Sequence, residues 1–359
     1  MTEAPKAPAK TEIVNCHVHT FTTAHTPLYF PHPLVAVFRY VPWLVQFLRW
    51  IVSLLPYDNL TDKFRRIEDF HRTGSRGTQR DVFRELLHYY PRSTRFVVLP
   101  MDMAPAGHGP VREDIVTQHH ELAELARDPD YGPQVIPFAT IHPDREGSAA
   151  EVRRCFDHLG FRGLKIYPKL GFSPTHPVLM NEVYPLCVER NVPVMTHCSR
   201  GGVYRKGWGQ DQQDAVTEPD AYREVLEAFP DLRVCLAHFG GDADWNSHLR
   251  DGFDPDDPKA RDRNWASRIA ALIADGTYPN LYTDISYTIF KFDDYVPLLR
   301  LFLKNPNLRD RILFGSDFYM TRQETLSEKA VSIRLRDALG EADFHQIAHV
   351  NPRRWLGEA

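Results

Sequence analysis

The stretch "TEIVNCHVHT", Thr11–Thr20, begins as a short apolar run and ends in two histidines one residue apart. Its pattern predicts a strand, on which successive side chains point to opposite faces. His17 and His19 then share one face, with Cys16 and Val18 on the other. Two imidazoles on one face, roughly 6–7 Å apart, can converge on a single cation. Alone the pair is a weak signal, and two histidines in a polar loop are the plainer alternative. What surrounds the stretch has to decide.

Working outward, seven more apolar runs follow, each carrying a polar residue at or near its end. "RFVVLPMD" ends at Asp102, "QVIPFATIHP" near His142, and "FRGLKIYP" contains Lys165. "NVPVMTHC" ends around His197, "LRVCLAHFGG" around His238, "NLYTDISY" contains Asp284, and "RILFGSDF" ends around Asp317. Amphipathic stretches separate most of them: 113–127, 149–159, 178–190, 221–229 and 295–303 are predicted helices. Eightfold strand–helix alternation is the signature of a parallel (β/α)8 TIM barrel. An open doubly wound sheet would want a glycine-rich phosphate loop after its first strand, where His and Thr stand instead. A large helical insertion follows strand one, at about residues 24–80, and in a barrel it covers the C-terminal face. Residues 1–11 are expected as a disordered lead-in, and residues 12–359 as one barrel domain.

Composition narrows the function classes. With 43% hydrophobic and 25% charged residues, 359 residues suffice for a large core without staples. A net charge of −4 and no basic run leave no nucleic-acid footprint. Five cysteines without a C-x-x-C fit reduced thiols in a cytoplasm. The segment Pro33–Pro56 is apolar, but Arg39, Pro42, Gln46 and Arg49 interrupt it, so no transmembrane span is expected. Its stripe of Trp43, Phe47, Trp50 and Leu54 needs burial and predicts a homodimer. The arginine-rich tail of the insertion, residues 62–81, is either a solvated surface or a contact for an anionic substrate.

His17 and His19 thus have company: His197, His238 and Asp317 also lie at strand ends, with Lys165 on strand four. In a barrel these ends converge on one rim. Imidazoles with a carboxylate suit Zn2+, with Fe2+, Mn2+ or Co2+ as alternatives.

"NCHVHTF", "GFRGLKIYP", "PVMTHCS", "FPDLRVCLAHFGG", "LYTDIS", "RILFGSDF" and the closing "NPRRWLG" resemble the amidohydrolase superfamily, in the branch that includes aminocarboxymuconate-semialdehyde decarboxylase. The resemblance implies that His17, His19, His197 and Asp317 hold one metal ion. It implies that His238 helps activate the attacking water, or binds a second ion in two-metal members. Lys165 lies where two-metal members carry a carboxylated lysine; its alternative is a cation that pairs with Asp317 or with substrate. One ion is favoured over two. Asp317 and His238 are the expected proton-handling groups.

Arg200, Lys165, His142 and Trp208 are candidate substrate contacts, with an exposed arginine, a second layer and loop packing as the respective alternatives for Arg200, His142 and Trp208. Asp102 and Asp284 are read as supports, and Cys16 as core. The expected activity is hydrolysis of a small anionic amide, lactone or related carbonyl compound. Non-oxidative decarboxylation of an unsaturated or aromatic acid is the alternative, and a non-catalytic binding barrel the alternative of another class.

Overall fold

The computed structural model describes residues 12–30, 43–44, 47, 50, 58–251 and 263–358. Eight short parallel strands form its centre. They are β1 (Val14–Val18), β2 (Arg95–Val98), β3 (Val135–Pro137, continuing as Ala139–Thr140) and β4 (Leu164–Ile166). β5 (Val194–Ser199), β6 (Val234–Gly240), β7 (Leu281–Asp284) and β8 (Ile312–Leu313) complete the set. Each pairs in parallel with the next in chain order. Phe138 joins the halves of β3, its N–H donating to the Val98 carbonyl at 3.1 Å. Cys16 N donates to Phe314 O and Asp317 N to His17 O, both at 2.8 Å, so the first strand meets the last. The predicted (β/α)8 barrel is the observed architecture.

Helices follow the strands as the periodicity predicts, at Ile115–Arg127, Ser148–Asp157, Tyr184–Glu189, Arg223–Ala228 and Phe292–Phe302. A short polar side chain starts the first of these, and another starts a further helix, Trp265–Ala274. Asp114 accepts from Thr117 N and Asn264 from Ser267 N, both at 2.9 Å, which satisfies first-turn donors that the helix itself cannot.

The strands are buried on both faces, which is why they read as apolar runs. Val14, Cys16, Val97, Leu99, Met195 and Cys235 pack inside the barrel, and Trp355 of the last helix (Asn351–Trp355) joins them against Phe138. Val98, Leu164, Ile166 and Leu236 pack in the outer layer that the helices cover. Strict alternation, as read from the sequence, fails in β1. Cys16 packs in the inner cluster and Val18 in the outer one, because the pairing register slips between Asn15 and Val18. Such a bulge re-aims a side chain at a barrel rim. Here it lets Cys16 fill the interior while His17 reaches the site directly above it.

The insertion contributes a helix, Asp58–Gly74, packed through Phe70 on Tyr319, with ring centroids 5.2 Å apart. Its arginines find local acids: Arg65 pairs with Asp62, Arg72 with Asp69 and Arg76 with Glu85. The surface reading of that tail therefore describes these residues better than an anion contact. Residues 1–11 and most of the Pro33–Pro56 segment, Leu54 included, lie outside the described residues, whereas Trp43, Phe47 and Trp50 are described and exposed. Among the described residues no helix is long and apolar enough to cross a membrane. All five cysteines are free and buried.

Candidate active site

At the C-terminal ends of the strands a cavity of about 700 Å³ opens, and His17, His19, His197, His238 and Asp317 all face it. His17, His238 and Asp317 each offer a ligand atom within 4.8 Å of the others. His19 joins them through its Nε2, 3.2 Å from Asp317 Oδ1, which lies 3.7 Å from His17 Nε2. The rings form a continuous row: His19 to His17 at 5.3 Å, His17 to His238 at 4.8 Å, and His238 to His197 at 4.8 Å.

What each imidazole can do follows from where its N–H goes. Asp284 Oδ2, an acceptor only, lies 2.8 Å from His17 Nδ1, so that nitrogen carries the proton. His19 Nδ1 donates to the Leu99 carbonyl at 2.7 Å. The Ser286 hydroxyl spends its own proton on Asp284, which leaves its oxygen to accept from His238 Nδ1 at 3.0 Å. His197 donates through Nε2 to the Gly201 carbonyl at 3.0 Å. Every ring therefore keeps one nitrogen with a lone pair. His17 Nε2 and His197 Nδ1 are buried without any hydrogen-bond partner. Lone pairs fixed by a partner on the opposite nitrogen are the arrangement that metal-binding histidines require, and a divalent ion fits this donor set.

Ionisation agrees with that arrangement. Burial lowers the pKa of His17 to about 3, with Lys165 nearby acting the same way, so the ring is neutral at pH 7. Burial likewise lowers His197 and His238. Burial pushes the Asp317 carboxyl up, but the imidazoles of His19, 3.2 Å away, and of His17 outweigh it, and the acid lies below its usual range. Asp284 is held ionised against its burial by His17. Its carboxylate also accepts from His238 N at 2.9 Å and Ser286 N at 3.0 Å, tying β6 to β7 beneath the rim.

The backbone is bent where these groups turn inward. His238 has φ 69° and Asp317 φ 64°, a conformation non-glycine residues rarely adopt. Gly202, at φ 96°, lies over His197, where a Cβ would overlap the Tyr167 hydroxyl and the His197 ring.

The other candidates fall in different places. Lys165 is buried under the histidines, its Nζ without a hydrogen-bond partner and its pKa lowered to about 8, chiefly by burial. It is not among the described residues that line the cavity. Arg200 does line it, but its guanidinium is occupied: Nε donates to Asp244 at 2.9 Å, Nη1 to Asp214 and Nη2 to the Arg263 carbonyl, and the group stacks on Trp265 at 4.4 Å. Its guanidinium thus clamps the loop after β5 to Asp214, Asp244 and Trp265. His142, its ring against Phe172, and Trp208, beside Arg205, are both set away from the cavity lining. Asp102 is held by Arg145 at 2.6 and 2.9 Å.

The residue-by-residue reading missed the second ring of the site. Phe21, Tyr167, Ser199 and Tyr319 each follow a strand-end candidate by two positions, and all four line the cavity. The same alternation that paired His17 with His19 could have found them. Tyr167 stacks on His197 at 4.1 Å, and Ser199 Oγ lies 3.1 Å from His197 Nε2. Lys169, equally unforeseen, fixes the following loop through the carbonyls of Arg200 at 2.6 Å and Gly201 at 2.8 Å.

A family model described as amidohydrolase matches residues 15–357. No curated protein matches. Among solved structures, 5-carboxyvanillate decarboxylase from Sphingomonas paucimobilis superposes with a TM-score of 0.56 at 13% identity, covering 97% of this chain and 99% of its own. The same enzyme from Novosphingobium aromaticivorans, complexed with manganese and a nitrobenzoic acid, gives 0.56 at 14% identity with 99% of each chain covered. A probable 2-pyrone-4,6-dicarboxylic acid hydrolase from Acinetobacter baumannii gives 0.55 at 12% identity, over 96% of this chain and 99% of its own. At such identities the likeness is one of fold.

Proposed function

The chain belongs to the amidohydrolase family, a family of metal-dependent hydrolases and decarboxylases, and from that premise we propose that it is a hydrolase adding water to a carbonyl carbon. The carrying observation is the set of four imidazoles, each with one N–H engaged and one lone pair kept, gathered with Asp317 in one cavity. His17, His19, His197 and Asp317 would hold one divalent ion, Zn2+ by donor type, with Mn2+, Fe2+ or Co2+ able to replace it. When bound, the ion supplies Lewis-acid polarisation of the carbonyl and makes water nucleophilic at neutral pH. Asp317, ionised and at the cavity wall, accepts the proton of the attacking water. His238 relays a proton toward the leaving atom, its ring held in orientation by Ser286. Two ions would need Lys165 to be carboxylated, and one is the simpler state.

Decarboxylation is the second reading, supported by the likeness to two carboxyvanillate decarboxylases. It asks the site to hold a carboxylate, and among the described lining residues the guanidinium that could do so, that of Arg200, is already occupied by Asp214 and Asp244. That favours hydrolysis. The test is a panel of esters, lactones and amides beside aromatic acids, given to protein stripped by a chelator and reloaded with Zn2+ or Mn2+. Hydrolysis that returns with the ion supports the proposal; CO2 release from an acid without any hydrolysis overturns it.

We also propose one catalytic domain over residues 12–359, a cytoplasmic setting, and a homodimer that covers Trp43, Phe47 and Trp50. Five free cysteines support the second, and the exposed aromatic row supports the third.

A further inference from the structure

One wall of the cavity, beside His19, is built from apolar rings. Phe21 extends from the end of β1, Phe70 comes from the helix Asp58–Gly74, and Tyr319 follows Asp317. Tyr319 is packed against both others, with ring centroids 5.5 Å from Phe21 and 5.2 Å from Phe70. Its hydroxyl is spent on the Phe21 carbonyl at 2.9 Å, so the ring is what it can offer the cavity. Met101 and Met103 add soft apolar surface. This wall abuts the reacting centre directly, because Phe21 packs on His19 at 5.3 Å.

Among the described lining residues this wall carries no free charge. Outside the histidine and aspartate cluster, the described lining residues that carry or can take charge are Arg200, Asp242 and His71. Arg200 is occupied by Asp214 and Asp244. Asp242 accepts from Lys291 Nζ and from the Tyr295 hydroxyl, both at 2.7 Å. The His71 ring lies edge-on beside Phe70 at 5.8 Å. A carboxylate set against this wall, away from the histidine and aspartate cluster, would lose its hydration with no charged partner among the described lining residues ready to replace it, which is costly. An aromatic body would gain by leaving water.

We infer that the site takes an uncharged carbonyl compound with an aromatic body, an aryl-bearing ester or lactone, seated against Phe21, Phe70 and Tyr319. This rests on the hydrolase reading. It departs from the anionic substrate that the sequence suggested, because the cation meant to hold that anion serves the fold. Hydrolysis of such an ester breaks the acyl carbon–oxygen bond, adds the oxygen of water to the acyl carbon, and gives one proton to the leaving oxygen.

The test is calorimetric titration of the Zn2+-reconstituted full chain with acetohydroxamate, 2-naphthohydroxamate and 6-carboxy-2-naphthohydroxamate. The neutral naphthyl compound should bind about 100-fold more tightly than acetohydroxamate, and the added carboxylate should cost about tenfold or more. Phe70→Ala should weaken the naphthyl compound about tenfold and leave acetohydroxamate unchanged. Equal or tighter binding of the carboxylated probe overturns the inference, as does a naphthyl compound no tighter than acetohydroxamate, or no binding by any of the three. The comparison of probes needs no variant, so it stands even if Phe70→Ala does not fold. Turnover separates the two readings: neutral preference without ester hydrolysis removes the hydrolase and keeps the cavity, and preferred hydrolysis of a carboxylated ester does the reverse.

Discussion

A single hydrogen bond, from His17 Nδ1 to Asp284, decides what His17 is for. It selects the tautomer, aims Nε2 at the cavity, and leaves that nitrogen buried without a partner. His17→Ala removes the donor and a small part of the packing above Cys16. Metal content measured by mass spectrometry should fall from about one equivalent to a small fraction, while the far-ultraviolet circular dichroism spectrum keeps its shape. A variant that retains its full metal content would rule out the ligand assignment. Asp284→Asn tests the layer behind it. The amide keeps the size but can present its NH2 group to a ring N–H and Ser286 loses its acceptor, so metal affinity should drop by about 10–100-fold. Competition with a chelator reads this directly, and unchanged affinity would mean that Asp284 serves only to join β6 to β7. The functional pair was visible in "NCHVHT", because alternation along a strand is a property of backbone geometry that any sequence reports. The bulge was invisible. A register slip between Asn15 and Val18 depends on how β2 and the segment after β8 meet β1, and that is decided by partners far along the chain.

At the scale of the element, the short turn Thr23–His25 shows how a connection is fixed before the insertion begins. Thr22 caps it, and the His25 ring returns the favour, its Nδ1 accepting from Thr22 N at 2.9 Å. An accepting Nδ1 means a neutral ring, and burial accordingly lowers the His25 pKa to about 4. The sign of the pH effect follows. Between pH 6.5 and 4 the unfolded chain binds a proton at this position that the folded chain refuses, so stability is full above about 6.5 and is lost as the pH falls through 4. His25 alone should contribute an acid loss on the order of 1–2 kcal/mol between pH 7 and 5. Urea midpoints at those two pH values should differ less for His25→Asn, whose side-chain oxygen can still accept from Thr22 N. An identical acid loss in variant and parent would show that the ring is not the group responsible. Elements of this kind were only partly legible. The helices 113–127 and 149–159 were placed to within a few residues, because their caps and apolar periodicity are local. The roles of Arg200 and Lys169 were not legible, since a guanidinium reads the same in sequence whether Asp214 and Asp244 face it or a substrate does.

For the whole molecule, the barrel was legible because both faces of every strand are buried, which makes eight apolar runs stand out whatever their order. The substrate was not, because the cavity wall is assembled from β1, the insertion helix and the segment after β8, which only the closed ring brings together. The same closure leaves one apolar feature outside. Trp43 is 62% exposed and Trp50 58%, and Phe47 lies between them with ring centroids 6.1 and 6.0 Å away. Three large rings in contact on a surface expose apolar area that a second copy can cover, and a twofold pairing would place the row against itself. If it does, Trp43→Asp with Trp50→Asp sets four carboxylates across that contact in place of four indoles, and the assembly should separate. Gel filtration with light scattering should then give a dimer for the parent, whose chain is 41.4 kDa, and a single chain for the double variant. Fold and metal content should persist, since neither tryptophan lines the cavity. A parent that already runs as a monomer, or a double variant of the parent's size, would remove the aromatic row from any account of self-association.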